Sequence, residues 1–125
     1  MRVGNRKVGA RLRIVLGPDV AIGPGKADLL QGIAETGSIT AAGKRLGMSY
    51  RRAWLLVSTM NACFRTPLVE TEKGGSGGGG GARLSALGDE VLARYRRMER
   101  ATEAAVADDM AALRASLADD APRRG

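Results

Sequence analysis

Residues 38–64 read SITAAGKRLGMSYRRAWLLVSTMNACF, and this stretch decides the fold. Ser38 suits a helix N-cap, because its hydroxyl accepts a hydrogen bond from an otherwise orphaned amide. Ile39, Ala42 and Leu46 then recur at helical spacing as one apolar stripe. Gly47 stands where a helix wants a left-handed C-terminal residue. Ser49 caps again, and Ala53, Val57, Met60 and Phe64 carry a second stripe. Two short amphipathic helices joined by a tight Gly-containing turn outline a helix-turn-helix. Arg51 and Arg52 fall in the first turn of the second helix, facing the positive end of its dipole. That placement costs about 0.3–1 kcal/mol per exposed cation. A local rule broken without local gain tends to mark function. An anionic partner at that helix start turns the cost into a gain, although two solvated surface arginines would read the same way.

Outward from this stretch, Lys26 to Glu35 forms a helix by Ala27, Leu30, Ile33 and Ala34, stopped by Gly37. It supplies the third helix of the core. Before it, Arg11 to Leu16 alternates, with Leu12, Ile14 and Leu16 on one side, as in a half-buried strand. Gly17-Pro18-Asp19 and Gly23-Pro24-Gly25 break the chain. Residues 1–10 form a basic flexible arm with Arg2, Arg6 and Lys7.

Beyond Phe64 the period changes. Leu68 to Lys73 reads as a strand and Ala82 to Leu84 as its short partner. Gly74 to Gly81 between them reads as a wing, because strands flank it and it follows the second helix of the motif directly, with a plain flexible linker as the alternative. Ser85 caps a last helix, with Leu87, Val91, Tyr95, Met98, Thr102, Ala105, Asp109 or Met110, Leu113 and Leu117 at spacings of three and four. Unbroken, it is too long for one small domain to cover. Its far half then meets a second chain; the alternative is an intrachain hairpin with a break near Asp108-Asp109. Residues 119–125 make a flexible tail. The expected fold is mainly α with a small β-wing: a winged helix-turn-helix over 11–84 and a long dimerisation helix over 85–118.

Composition narrows the function. The 125 residues suit one domain, and the net charge is +7. Residues 1–83 hold 13 Lys+Arg against 5 Asp+Glu, and residues 84–125 hold 7 against 8, so the excess is carried by the first part. A basic domain is the electrostatic footprint of a nucleic-acid binder. The chain has no histidine, the commonest general base and zinc ligand. The Gly25-Lys26-Ala27 run fails as a phosphate loop, with Val20 and Ala27 where Gly and Ser/Thr belong. Neither an enzyme nor a metal or cofactor site is expected. Cys63 is the single cysteine, so no intrachain disulfide forms, and it is expected to be a buried small apolar group. No apolar run reaches the roughly 18 residues of a membrane span, and no secretory pattern follows the basic start, so a cytoplasmic location is expected.

The run Gly37-Ser38-Ile39-Thr40, then Met48-Ser49-Tyr50-Arg51-Arg52-Ala53-Trp54, Met60-Asn61, Leu68-Val69-Glu70, the Gly74 to Gly80 tract, Ala82-Arg83-Leu84 and Gly88 resembles the DNA-binding domain of ModE-type molybdate-responsive regulators. That domain is in turn similar to the LysR-type winged helix. The resemblance covers about residues 11 to 105. It implies a dimeric winged helix binding double-stranded palindromic DNA, with Ser49 to Arg52 at the start of the recognition helix and Gly74 to Gly81 in the wing. Trp54 falls on the family's tryptophan, read first as packing, with a DNA contact as the alternative. Members of the family carry oxyanion-binding modules after this domain. The sequence ends at Gly125 without a matching segment, so molybdate or tungstate sensing is not expected to carry over.

The function expected is a sequence-specific transcriptional regulator that binds an inverted repeat as a homodimer through its last helix, with a full-length relative or an effector protein as a possible further partner. The residues expected at DNA are Ser38, Thr40, Lys44, Ser49, Tyr50, Arg51, Arg52, Lys73, Gly75, Ser76, Gly77 and Arg83. The rival readings are an accessory protein-interaction module and a non-specific architectural DNA protein.

Overall fold

In the computed structural model, which describes residues 8–72 and 81–121, the chain runs β1 (Ile14–Gly17), β2 (Val20–Ile22), α1 (Pro24–Thr36), α2 (Ile39–Arg45), α3 (Tyr50–Cys63), β3 (Val69–Thr71), β4 (Ala82–Leu84) and α4 (Ala86–Ala115). The element boundaries follow local chemistry. Pro24 sits at the first helical position of α1, where its missing N–H costs nothing. Ser38 Oγ accepts from Ala41 N at 3.0 Å and Ser49 Oγ from Arg52 N at 3.1 Å, so both read caps are in place. Gly47 has φ 72°, the left-handed conformation that lets the chain reverse between α2 and α3.

The three helices enclose one core of Ala27, Leu29, Leu30, Ile33, Ile39, Ala42, Ala53, Val57 and Met60, extended by Leu68, Val69, Ala82, Leu92 and Tyr95. Small residues set the helix spacing. A Cβ on Gly43 would stand 2.7 Å from the Ala53 Cβ, so α2 and α3 touch almost backbone to backbone. The wing root is an antiparallel pair, Val69 opposite Leu84 and Thr71 opposite Ala82.

Several expectations need correcting. Val20–Ile22 is a second strand that pairs with β1, turned by Pro18-Asp19 with Asp19 at φ 60°. A three-residue strand beside a turn carries too little alternation to be seen in the sequence. Leu16 is 57% exposed, because the register of the pair shifts between Val15 and Gly17 and ends the alternation. In α1 the outward residue is Ala34, and Leu29 is fully buried. Cys63 is exposed rather than buried. Ten residues on from Ala53, it lies about 80° round the helix from the core direction.

α4 runs unbroken through Asp108-Asp109 for 30 residues, about 45 Å, which removes the intrachain hairpin. Its first half lies on the core through Leu92 and Tyr95. Its second half leaves Leu113 at 68% exposure and ends before the equally open Leu117. Val8, Gly9 and Ala10 border a shallow hollow there with Glu103, Val106, Met110 and Arg114. Residues 1–7, and with them Arg2, Arg6 and Lys7 of the expected arm, lie outside the described residues, as do residues 122–125 of the tail.

Two contacts fix the angle of α4 to the helical core. The Arg96 guanidinium bridges Asp28 of α1 and Glu99, each at 2.9 Å. The Tyr95 hydroxyl, on a side chain only 1% exposed, donates to the Leu12 carbonyl at 2.6 Å. Burial, reinforced by the nearby Glu99 carboxylate, pushes the Tyr95 phenol up from 10.0 to about 12. The raised value means that the fold favours the protonated phenol. This contribution is therefore complete below pH 10 and is lost as the pH rises from 10 towards about 12. Urea unfolding at pH 9 and pH 11.5 should show this loss in the wild type. Tyr95→Phe should lose about 1 kcal/mol at pH 9 with the Leu12 bond, and should show a shallower alkaline decline.

Candidate nucleic-acid interface

The face opposite the core on α3 is built by periodicity. Ala53, Val57 and Met60 point inward, so Arg51, Leu55, Ser58 and Ala62, at i, i+4, i+7 and i+11, share the outward side and are all exposed. Arg52 lies on one flank. Tyr50 and Trp54 lie on the other, their ring centroids 6.0 Å apart at 56°. Trp54, expected as a packing residue, is 36% exposed.

Arg51, Arg52 and Lys44 are exposed and pair with no carboxylate among the described residues. By contrast, Arg45 is held by Glu35, whose carboxyl sits below its ordinary range because the Gln31 amide and then Arg45 hydrogen-bond to it. Arg94 and Arg96 are likewise paired along α4. The start of α3 therefore offers free positive charge, the four-residue opening of a helix and a hydroxyl cap together. The Ser49 oxygen already accepts from the Arg52 amide, and its proton remains available to an incoming oxygen.

Ser38 and Thr40 open α2, with Thr40 exposed and Ser38 half-buried. The wing root is tied beside them, because Ala82 N donates to the Gly37 carbonyl at 2.9 Å. Glu72 N donates to the Gly81 carbonyl at 2.9 Å, the outermost described rung of the wing. The start of α2 and the base of the wing thus lie together. Lys73, Gly75, Ser76 and Gly77 lie outside the described residues. Arg83, expected as a backbone-binding charge, lies between Glu70 at 3.2 Å and Glu72 at 2.9 Å. The Glu70–Arg83 register of the wing pair brings them together, and two carboxylates offset its charge.

The sequence reading missed Asn61 as a fastener. Its Nδ2 donates to the Val69 carbonyl at 3.1 Å, and its Oδ1 accepts from Leu68 N at 2.9 Å and Val69 N at 3.0 Å. One side chain thereby fixes the first wing strand against α3. A polar residue immediately after the buried Met60 was the available signal. Leu55 was also missed. The stripe of Ala53, Val57 and Met60 already turned it outward, but a single leucine 62% exposed is ordinary on a protein surface and drew no notice. Among the described residues no group of three His, Cys, Asp or Glu could hold a metal ion, and no helix is long and apolar enough to cross a membrane.

The pattern of bacterial regulatory helix-turn-helix proteins of the lysR family matches residues 26–89, from the start of α1 to the first turn of α4. The chain is 39% identical over 80 residues to the molybdenum-pterin-binding protein MopA of Rhodobacter capsulatus, covering 64% of this chain and 30% of that protein. It is 43% identical over 72 residues to the molybdenum transport protein ModE of Herbaspirillum seropedicae, covering 58% of this chain and 26% of that protein. To the DNA-binding transcriptional dual regulator ModE of Escherichia coli K12 it is 40% identical over 72 residues, 58% of this chain and 27% of that protein. The chain thus spans between 26% and 30% of the length of these three relatives.

Proposed function

The chain belongs to the lysR family of bacterial regulatory helix-turn-helix proteins, and from that premise we propose that it is a sequence-specific DNA-binding transcriptional regulator acting from the cytoplasm, with no catalytic activity. The observation that carries this reading is the start of α3, where Arg51 and Arg52 stand exposed and unpaired against the positive helix end. Phosphates and guanine edges supply the missing anionic and acceptor groups. α3 enters the major groove, and the outward arginine meets guanine O6 and N7 as a bidentate pair. Ser38, Thr40, Lys44, Ser49 and Tyr50 hold the backbone on either side, with Lys73, Gly75, Ser76 and Gly77 of the wing reaching the adjacent groove. Arg83 orders the wing root through its two carboxylates and stays near the phosphates. The similarity to a protein named as a DNA-binding dual regulator supports the same reading.

Residues 11–84 form the reading unit, and residues 85–118 the dimerisation helix. The exposed Met98, Leu113 and Leu117 favour pairing of two α4 helices, because a lone helix would leave them in water. Two copies place their recognition helices about 34–36 Å apart and demand an inverted repeat with half-sites one turn apart.

The test is retention of a genomic-fragment pool at two salt concentrations, followed by sequencing, with sedimentation to read the assembly state. A recovered inverted repeat with half-sites about 10–10.5 bp apart, and a dimer in solution, is the expected result. Uniform retention that fades with salt would instead assign an architectural role. Retention of nothing would turn the reading towards a protein partner.

A further inference from the structure

The outward face of α3 carries one feature that phosphate binding does not use. Leu55 is 62% exposed, and it stands about 200° round the helix from the buried Ala53, at the centre of the reading face. Arg51 precedes it by one turn, and Ser58 and Ala62 follow on the same side. Tyr50, 62% exposed, and Trp54, 36% exposed, form a tilted ring pair on one flank of the same helix, about 100° or more round from Leu55.

We propose that Leu55, set between Arg51 and Arg52, reads the 5-methyl group of a thymine in the major groove. This rests on α3 being the reading helix, and it names part of what that helix reads. The chemistry of the groove selects the occupant. Guanine, adenine and cytosine present hydrogen-bonding groups along the groove edge, which a leucine would strip of water without replacing the bonds. Thymine alone presents a methyl group there. The surrounding charge points the same way. The apolar spot is one leucine wide and bordered by the unpaired Arg51 and Arg52, which favours a polyanion carrying an isolated apolar group over an apolar protein surface. Every half-site therefore carries a thymine within reach of the second turn of α3.

The test uses the full chain and the duplex it retains most tightly. Each thymine of a half-site is replaced singly by deoxyuridine, which removes the methyl and leaves base pairing intact. At one position the wild type should bind the uracil duplex about fourfold more weakly, the value of one buried methyl. Leu55→Ala should weaken binding to the thymine duplex by a similar factor and bind the two duplexes equally. Its melting temperature should match the wild type, since the side chain is exposed. A wild type indifferent to uracil at every position overturns the proposal. So does a thymine preference that survives in Leu55→Ala, which would place the contact on another side chain. Both results leave sequence-specific binding standing. The absence of any preferred duplex instead overturns the DNA reading itself, and this proposal with it.

Discussion

Gly88→Ala should unfold the protein at temperatures where the wild type is native. A Cβ on Gly88 would lie 2.1 Å from the Leu68 carbonyl oxygen, 3.0 Å from its carbon and 3.2 Å from the Leu84 Cβ. The obstacle is backbone, which cannot swing aside. The same carbonyl accepts from Ser85 N at 2.8 Å, while the Ser85 hydroxyl donates to Pro67 O at 2.7 Å and accepts from Gly88 N at 3.0 Å. To admit the methyl, α4 must lift by more than an ångström and break this cluster. Leu92 and Tyr95, buried one and two turns further on, leave the core with it. Overpacking costs about 1–3 kcal/mol where side chains can yield, and more where they cannot. The gain in helix propensity from glycine to alanine, about 1 kcal/mol, does not offset that. We expect a loss of about 3 kcal/mol or more and a fall in melting temperature of at least 10 °C, of the order expected for a chain of this size. Gly25→Ala is the control. It lies in the first turn of α1 with nothing within 4 Å of the added Cβ, and should melt within a few degrees of the wild type. A Gly88→Ala protein that melted with the control would show that α4 docks on the wing in some other way.

Gly88 also shows where reading a sequence stops. Features set by neighbours in the chain were legible. The two serine caps, the left-handed Gly47 and the inward stripe of Ala53, Val57 and Met60 depend on residues within one or two turns. The exposure of Tyr50, Arg51 and Arg52 followed from that stripe, because residues off the buried arc must face water. Features set by distant partners were not legible. Leu29 is buried because α1 is covered on more than one side, which no single stripe reveals. Gly88 owes its identity to a carbonyl twenty residues away, and Asn61 to two wing amides and a carbonyl. Arg83 looked like free charge until the wing register placed Glu70 opposite it. Leu55 went unread for a different reason: single exposed leucines are ordinary on protein surfaces, and only its place between unpaired arginines makes this one informative.

Arg51→Ala and Arg52→Ala should separate specificity from affinity while making the fold more stable. Arg51 shares the outward face with Leu55, whereas Arg52 projects about 100° from the core direction on one flank. On the proposed docking of α3, the outward position would reach base edges and the flank position the strand beside the groove. Arg51→Ala should therefore cost about 1–3 kcal/mol on the preferred duplex and relax the preference at one base pair. Arg52→Ala should weaken binding about uniformly across sequences and reduce the slope of log affinity against log salt by about one. Neither side chain packs against the core or pairs with a carboxylate among the described residues, so neither loss should harm folding. Each removes a cation from the positive end of α3, which should raise stability by about 0.3–1 kcal/mol at low salt. Binding measured at several salt concentrations, together with thermal melts of the same samples, reads both effects. Opposite signs for binding and stability mark residues kept for a ligand at a cost to the fold. If both variants bound like the wild type, α3 would not be the reading helix. If both melted earlier, the arginines would serve the fold and the case for a functional α3 start would fail.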